Sequence, residues 1–132
     1  GFAGTATAQP SSDSKPGLFV NLTSDEVWRG WMALHFAWRT HQMGHPVTVF
    51  LNLEAVRFAW AKPPEQTIDG IGTPPRQALR NLIAEGGTVL ICGPRIARLG
   101  IGADELIPGA EMGKPGLTQP YMFAEGTRII SW

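Results

Sequence analysis

Four short apolar runs punctuate the chain: LFVNLT (18–23), VTVFLN (47–52), TVLIC (88–92) and TRIISW (127–132). Their β-branched and aromatic content marks them as strands. No two are joined by a tight hairpin turn, and a stretch with helical features lies between each pair. Antiparallel neighbours can be joined by two residues, whereas parallel neighbours need a crossover. The repeated strand–helix–strand order therefore predicts an α/β fold, a parallel sheet with helices on both faces in three layers.

The helices follow from local signals. Ser24 is placed to cap a helix running from about Asp25 to Met43, with Asp25 and Glu26 favourable to its dipole. Gly44 should stop it, with Pro46 beyond. Segment 53–60 suits a short helix, and the Pro- and Gly-rich segment 61–75 a loop. Leu79, Leu82 and Ile83 recur at helical spacing in 76–87, and a short helix fits 94–100. ELIPGAEM (105–112) reads as a very short strand or a turn. LTQPYMFAEG (117–126) reads as a last helix, with Pro120 near its first turn.

At 132 residues, the chain is long enough for one domain with its own core. Eleven basic residues balance eleven acidic ones, so there is no electrostatic reason to expect nucleic-acid or membrane-surface partners. The apolar runs are too short to span a bilayer. The first residues, GFAGTATAQPSSDSKPG, carry no apolar periodicity, so residues 1–16 are expected to be a flexible tail and 17–132 the single folded domain. Ala6-Thr7-Ala8 before Gln9 has the small-x-small pattern of a signal-peptidase site. An exported, periplasmic protein is one expectation; a cytoplasmic protein with a plain tail is the alternative.

Cys92 is the only cysteine, so it forms neither an internal disulfide nor a cysteine zinc site. It ends a predicted strand, and ligands of parallel sheets gather at the carboxyl ends of strands. Gly93 lets backbone approach closely, Pro94 suits a first helical position, and Arg95 and Arg98 bring positive charge. Such surroundings favour a thiolate. The plainer reading is a small hydrophobe ending a core strand. His41, Met43 and His45 in HQMGH are of the types that bind copper, but Gly44 breaks the helix between them and a polar helix end with exposed histidines is the favoured reading. The glycines of GIGTPP and RLGIGADE lack the pattern of a phosphate loop and read as turn residues. No resident metal or cofactor is called for. The first helix, WRGWMALHFAW, is apolar around most of its circumference. Trp28, Trp31, Phe36 and Trp38 cannot all point one way at about 100° per residue. At least one should face outward, which predicts a homo-oligomer.

The order SDEVWRGWMALHFAWRTHQMGHPVTVFLNLEAVRFA followed by LIAEGGTVLICGPRIARLGI resembles the DsrE/DsrF-like family of small sulfur-relay proteins. The resemblance covers about Leu18 to Trp132. It rests on Arg29 early in the first helix, Gly44 before VTVF, Cys92 after a strand, Arg98 and Gly100 in the next helix, and ELIPGAEM before the last. It implies a flavodoxin-like sheet, assembly into trimers or hexamers, and sulfur held on Cys92 as a persulfide. Sulfur donor and acceptor proteins or small thiols would be the partners. Gly93, Arg95 and Arg98 would stabilise the thiolate and persulfide, with Arg29 and Trp60 at the cleft. Family cysteines often come in pairs, whereas CGPRIA holds one, which leaves no intramolecular resolving disulfide. The alternative is a non-catalytic binding or assembly module of the same fold, ligand- or metal-binding, with a cleft formed by Trp60, the 61–75 loop and the 93–98 turn.

Overall fold

The computed structural model describes residues 15–132, so Ala6-Thr7-Ala8 and most of the expected tail lie outside the described residues. Within them, Lys15 Nζ donates to the Met43 carbonyl at 2.7 Å, and the Pro16 carbonyl meets His45 Nδ1 at 2.6 Å. Both contacts tie the start of the described chain to the turn that precedes the second strand.

Five strands form one parallel sheet: β1 (Leu18–Leu22), β2 (Val47–Leu51), β3 (Thr88–Cys92), β4 (Glu111–Gly113) and β5 (Arg128–Ser131), in the order β4-β3-β2-β1-β5. Four helices connect them: α1 (Val27–Gln42), α2 (Pro75–Ala84), α3 (Gly93–Leu99) and α4 (Thr118–Phe123). A 3₁₀ segment, Leu53–Ala59, follows β2, and a second, Ala103–Glu105, precedes β4. The chain steps outward from β1 to β4, and its last crossover returns it to the other side of β1.

The two faces of the sheet bury different sets. Val20, Leu22, Val49, Leu51, Val89 and Ile91 pack with Ala33, Leu34 and Ala37 of α1 and Ala78, Leu79 and Leu82 of α2 in the main core. On the opposite face the Phe19 and Phe50 rings lie 6.2 Å apart. A Cβ on Gly113 would come within 2.8 Å of Thr118 Oγ1 and 3.1 Å of the Phe50 ring, which puts the start of α4 on this second face. Alternation along fully buried strands thus yields two apolar faces and three layers, as parallel topology requires.

The start of α1 differs from expectation. Ser24 does not cap the helix; its Oγ accepts from the Glu26 N–H at 3.0 Å. Glu26 is the N-cap, extended at φ −66° and ψ 132°, and its carboxylate accepts from the Trp28 N–H. The local Ser24 bond delays the helix, and the next side chain able to reach a first-turn donor takes over. The ambiguous stretch before the last helix provides β4 at its end, with Cys92 in register with Gly113.

The outward side of α1 carries Trp28, Met32 and Phe36, 52%, 49% and 44% exposed. Trp28 meets Trp31 edge-on at 6.2 Å and Phe36 lies 5.5 Å from Trp132, and the other aromatics of α1 are more fully engaged within the chain. Trp31 and His35 rings lie 4.5 Å apart, and His35 Nε2 meets the Thr73 carbonyl at 2.9 Å. Trp38 Nε1 donates to Glu85 at 2.6 Å. No helix among the described residues is long and apolar enough to cross a membrane.

Candidate functional site

The carboxyl ends of β1, β2 and β3 deliver Asp25, the 3₁₀ segment Leu53–Ala59, and Cys92 to one edge. Cys92 ends β3 and directly precedes α3, because Gly-Pro stops the strand and starts the helix. It is half-buried, packed against the main core. Its thiol makes no capping bond to the first turn of α3. The position a Cβ would take on the next residue, Gly93, is 3.7 Å from the Gly113 carbonyl and 3.9 Å from Met112 Sδ. The backbone beside the thiol therefore packs closely against β4.

A chain of ion pairs runs along this edge. Arg57 Nε meets Glu54 at 3.1 Å and Asp25 at 3.7 Å, and the other Glu54 oxygen pairs with Arg95. These side chains are 33–48% exposed, so each pair contributes only about 0.2–1 kcal/mol. The value of the chain is geometric: Glu54 fixes two arginines from two crossovers. Leu53, just before it, stands at φ +49° and is 53% exposed as a residue. Left-handed backbone costs a non-glycine residue about 1–2 kcal/mol, and glycine loses about 0.5–1 kcal/mol through its freer unfolded state. Leu53→Gly should therefore raise stability by about 0.5–1 kcal/mol in urea unfolding. A lowered midpoint would show that the leucine side chain holds the segment in place.

Beside the ion pairs lies a cavity of about 250 Å³. Phe58, Trp60 and Pro75 are among its apolar walls, and Asp25, Arg57 and Arg76 are among its polar ones. Trp60 Nε1 donates to Glu105 at 2.7 Å, and Trp60 bridges Leu106 as an isolated antiparallel pair. Arg76, in the first turn of α2, donates to the carbonyls of Ala61 at 3.5 Å and Pro63 at 2.7 Å. It thereby pins the loop that forms one wall.

A model of the DsrE/DsrF-like family matches residues 18–131. The chain belongs to that family. Among solved structures, the YchN protein of E. coli is similar with a TM-score of 0.71 and 18% identity, over 90% of this chain and all of that one. The protein of unknown function MTH1491 from Methanobacterium thermoautotrophicum has a TM-score of 0.68 and 12% identity, over 89% of this chain and all of that one. At such identities these likenesses speak for the shared fold. No curated protein matches the sequence significantly.

This DsrE/DsrF-like chain distributes the expected site residues unevenly. Cys92, Gly93 and Arg95 stand together at the β3–α3 junction, but the Arg95 guanidinium is engaged with Glu54. Arg98 is exposed in the last turn of α3. Trp60 and the 61–75 loop do form a cleft, whereas the 93–98 turn contributes no wall to it. Arg29 is exposed on α1 and does not line the cavity beside Trp60. His41, Met43 and His45 belong to no cluster of three or more metal-ligating His, Cys, Asp or Glu among the described residues. Sequence reading missed Asp25, Glu54, Arg57 and Arg76. Glu54 and Arg57 carried a signal in their i,i+3 spacing; Arg76 carried one only in following two prolines at a helix start.

Proposed function

We propose that this DsrE/DsrF-like protein carries sulfane sulfur as a persulfide on Cys92. The observation that carries the reading is the placement of the single cysteine, half-buried at the carboxyl end of β3, in a chain of this sulfur-relay family. The Cys92 thiolate attacks the outer sulfur of a persulfide or thiosulfate donor. A new S–S bond forms on Cys92, the donor's own bond to that sulfur breaks, and the donor leaves as thiolate or sulfite with the bonding pair. An acceptor thiolate then takes the outer sulfur and returns Cys92 to the thiolate. With one cysteine, the acceptor must come from another molecule. The first-turn N–H groups of Gly93 and Arg95 have no partner from the Cys92 side chain and would be the donors nearest in sequence to an anionic sulfur, while Pro94 has none. Arg95 can turn its side chain to the persulfide only by leaving Glu54; Arg98 is exposed in the last turn of α3, at the other end of that helix from Cys92.

Intact-mass measurement tests this. After incubation with polysulfide or thiosulfate, the wild-type chain should gain the mass of one sulfur, removable by dithiothreitol, and Cys92→Ser should gain none. An unmodified wild-type chain across both donors would overturn the proposal.

The same reading includes a homo-oligomer, trimeric or hexameric. The outward stripe Trp28, Met32 and Phe36 on α1 supports it, as do Phe123 and Ile129, 78% and 51% exposed near the second sheet face. Apolar patches of this kind are uncommon on monomers. Light scattering at micromolar concentration should return a multiple of the chain mass.

A further inference from the structure

We infer that the cavity beside Trp60 binds a small organic anion, a monocarboxylate with a planar apolar body, through the Arg76 guanidinium. The charges around the cavity are unequally answered. Arg57 has two carboxylates, Asp25 and Glu54. Arg76 has neutral carbonyls only, and no carboxylate lies within ion-pair distance of it among the described residues. Its Nε is buried without an acceptor. What opens to the cavity is a guanidinium charge with no counter-ion among the described residues, and a carboxylate is the anion whose geometry matches a guanidinium best. Glu65, on the adjoining loop, does not supply that acceptor; one of its own oxygens is buried without a donor.

The walls select the rest of the ligand. The Trp60 N–H is committed to Glu105, so the residue offers its ring rather than a hydrogen bond. Phe58 and the surrounding prolines extend that apolar surface. Asp25 on the same wall opposes a multiply charged ligand such as a phosphate dianion. The volume of about 250 Å³ accommodates a single-ring acid. The site is separate from the thiol, since Cys92 does not line it.

Isothermal titration of the full chain with sodium benzoate and with neutral benzamide, at matched ionic strength, tests this assignment. Benzoate should bind at one site, at least about tenfold more tightly than benzamide. Arg76→Gln should reduce benzoate to the level of benzamide. Because Arg76 also pins the loop, a second variant is needed. Gln66 lines the same cavity and is exposed, so Gln66→Glu places a like charge there without disturbing the core. It should weaken benzoate and leave benzamide unchanged. Cys92→Ser should bind benzoate as the wild type does, which separates this site from sulfur carriage. Equal affinities for the two probes, no benzoate binding at about 10 mM, or an indifferent Gln66→Glu would overturn the inference.

Discussion

Gly30→Leu should destabilise the fold by about 3 kcal/mol or more. Gly30 is buried in α1, facing Phe58 of the 3₁₀ segment. A Cβ there would stand 2.1 Å from Phe58 Cζ, inside any allowed contact. Phe58 is itself 6% exposed, so its ring has little free volume to retreat into. Extra methylenes in a packed core cost about 1–3 kcal/mol even when small adjustments absorb them, and leucine adds four carbons at the closest point of contact. Better helix propensity returns only about 1 kcal/mol. Displacing Phe58 would also move one wall of the cavity and the segment that carries Glu54 and Arg57. Urea unfolding followed by circular dichroism should show a strongly lowered midpoint, with Gly30→Ala intermediate. The pair Gly30→Leu and Phe58→Ala, combined, should cost less than the sum of the single changes. A midpoint like that of the wild type in Gly30→Leu would mean the ring swings out without penalty.

Gly30 also shows where sequence reasoning stops. A glycine inside a helical pattern registers as lost propensity, and only the approach of Phe58, from another crossover, explains its use. The strands were easier to find. VTVFL and TVLIC are buried on both faces, so continuous β-branched runs with breakers on either side suffice to mark them. β4 is three residues long, Glu111-Met112-Gly113, with no such run, and pairing with β3 alone makes it a strand. The placement of β5 beside β1, with Ile129 opposite Phe19, follows from the final crossover and not from any property of TRIISW.

The site divides in the same way. The position of Cys92 was legible because Gly93 and Pro94 punctuate the end of its strand. The role of Arg95 was not, because its nearest carboxylate belongs to Glu54, which arrives from the preceding crossover. Asp25, Arg57 and Arg76 converge from the loop before α1, the 3₁₀ segment after β2 and the first turn of α2, so no local window of sequence holds them together. The expected Ser24 cap failed for a shorter-range reason. Serine can bond to the backbone two residues on as readily as it caps, and the choice depends on the angle at which the chain leaves β1.

In the proposed homo-oligomer, Met32→Glu should break assembly while leaving the chain folded. Met32 lies two residues beyond Gly30, about 200° further around the helix, and so on the opposite side of α1. It is 49% exposed and sits between Trp28 and Phe36, four residues away in each direction, on the outward stripe. Glutamate and methionine have similar helix propensities, so the isolated chain should tolerate the change. At a subunit contact the same carboxylate would have to leave water unpaired, at a cost of several kcal/mol. Since each 1.4 kcal/mol is tenfold in affinity, dissociation should strengthen by at least about a hundredfold. Light scattering at micromolar concentration should then return the monomer mass, with the far-ultraviolet circular dichroism of the wild type. A wild-type chain of monomer mass would overturn the proposed oligomer, and a Met32→Glu protein with the mass of an oligomeric wild type would remove this stripe from the contact and point instead to Phe123 and Ile129.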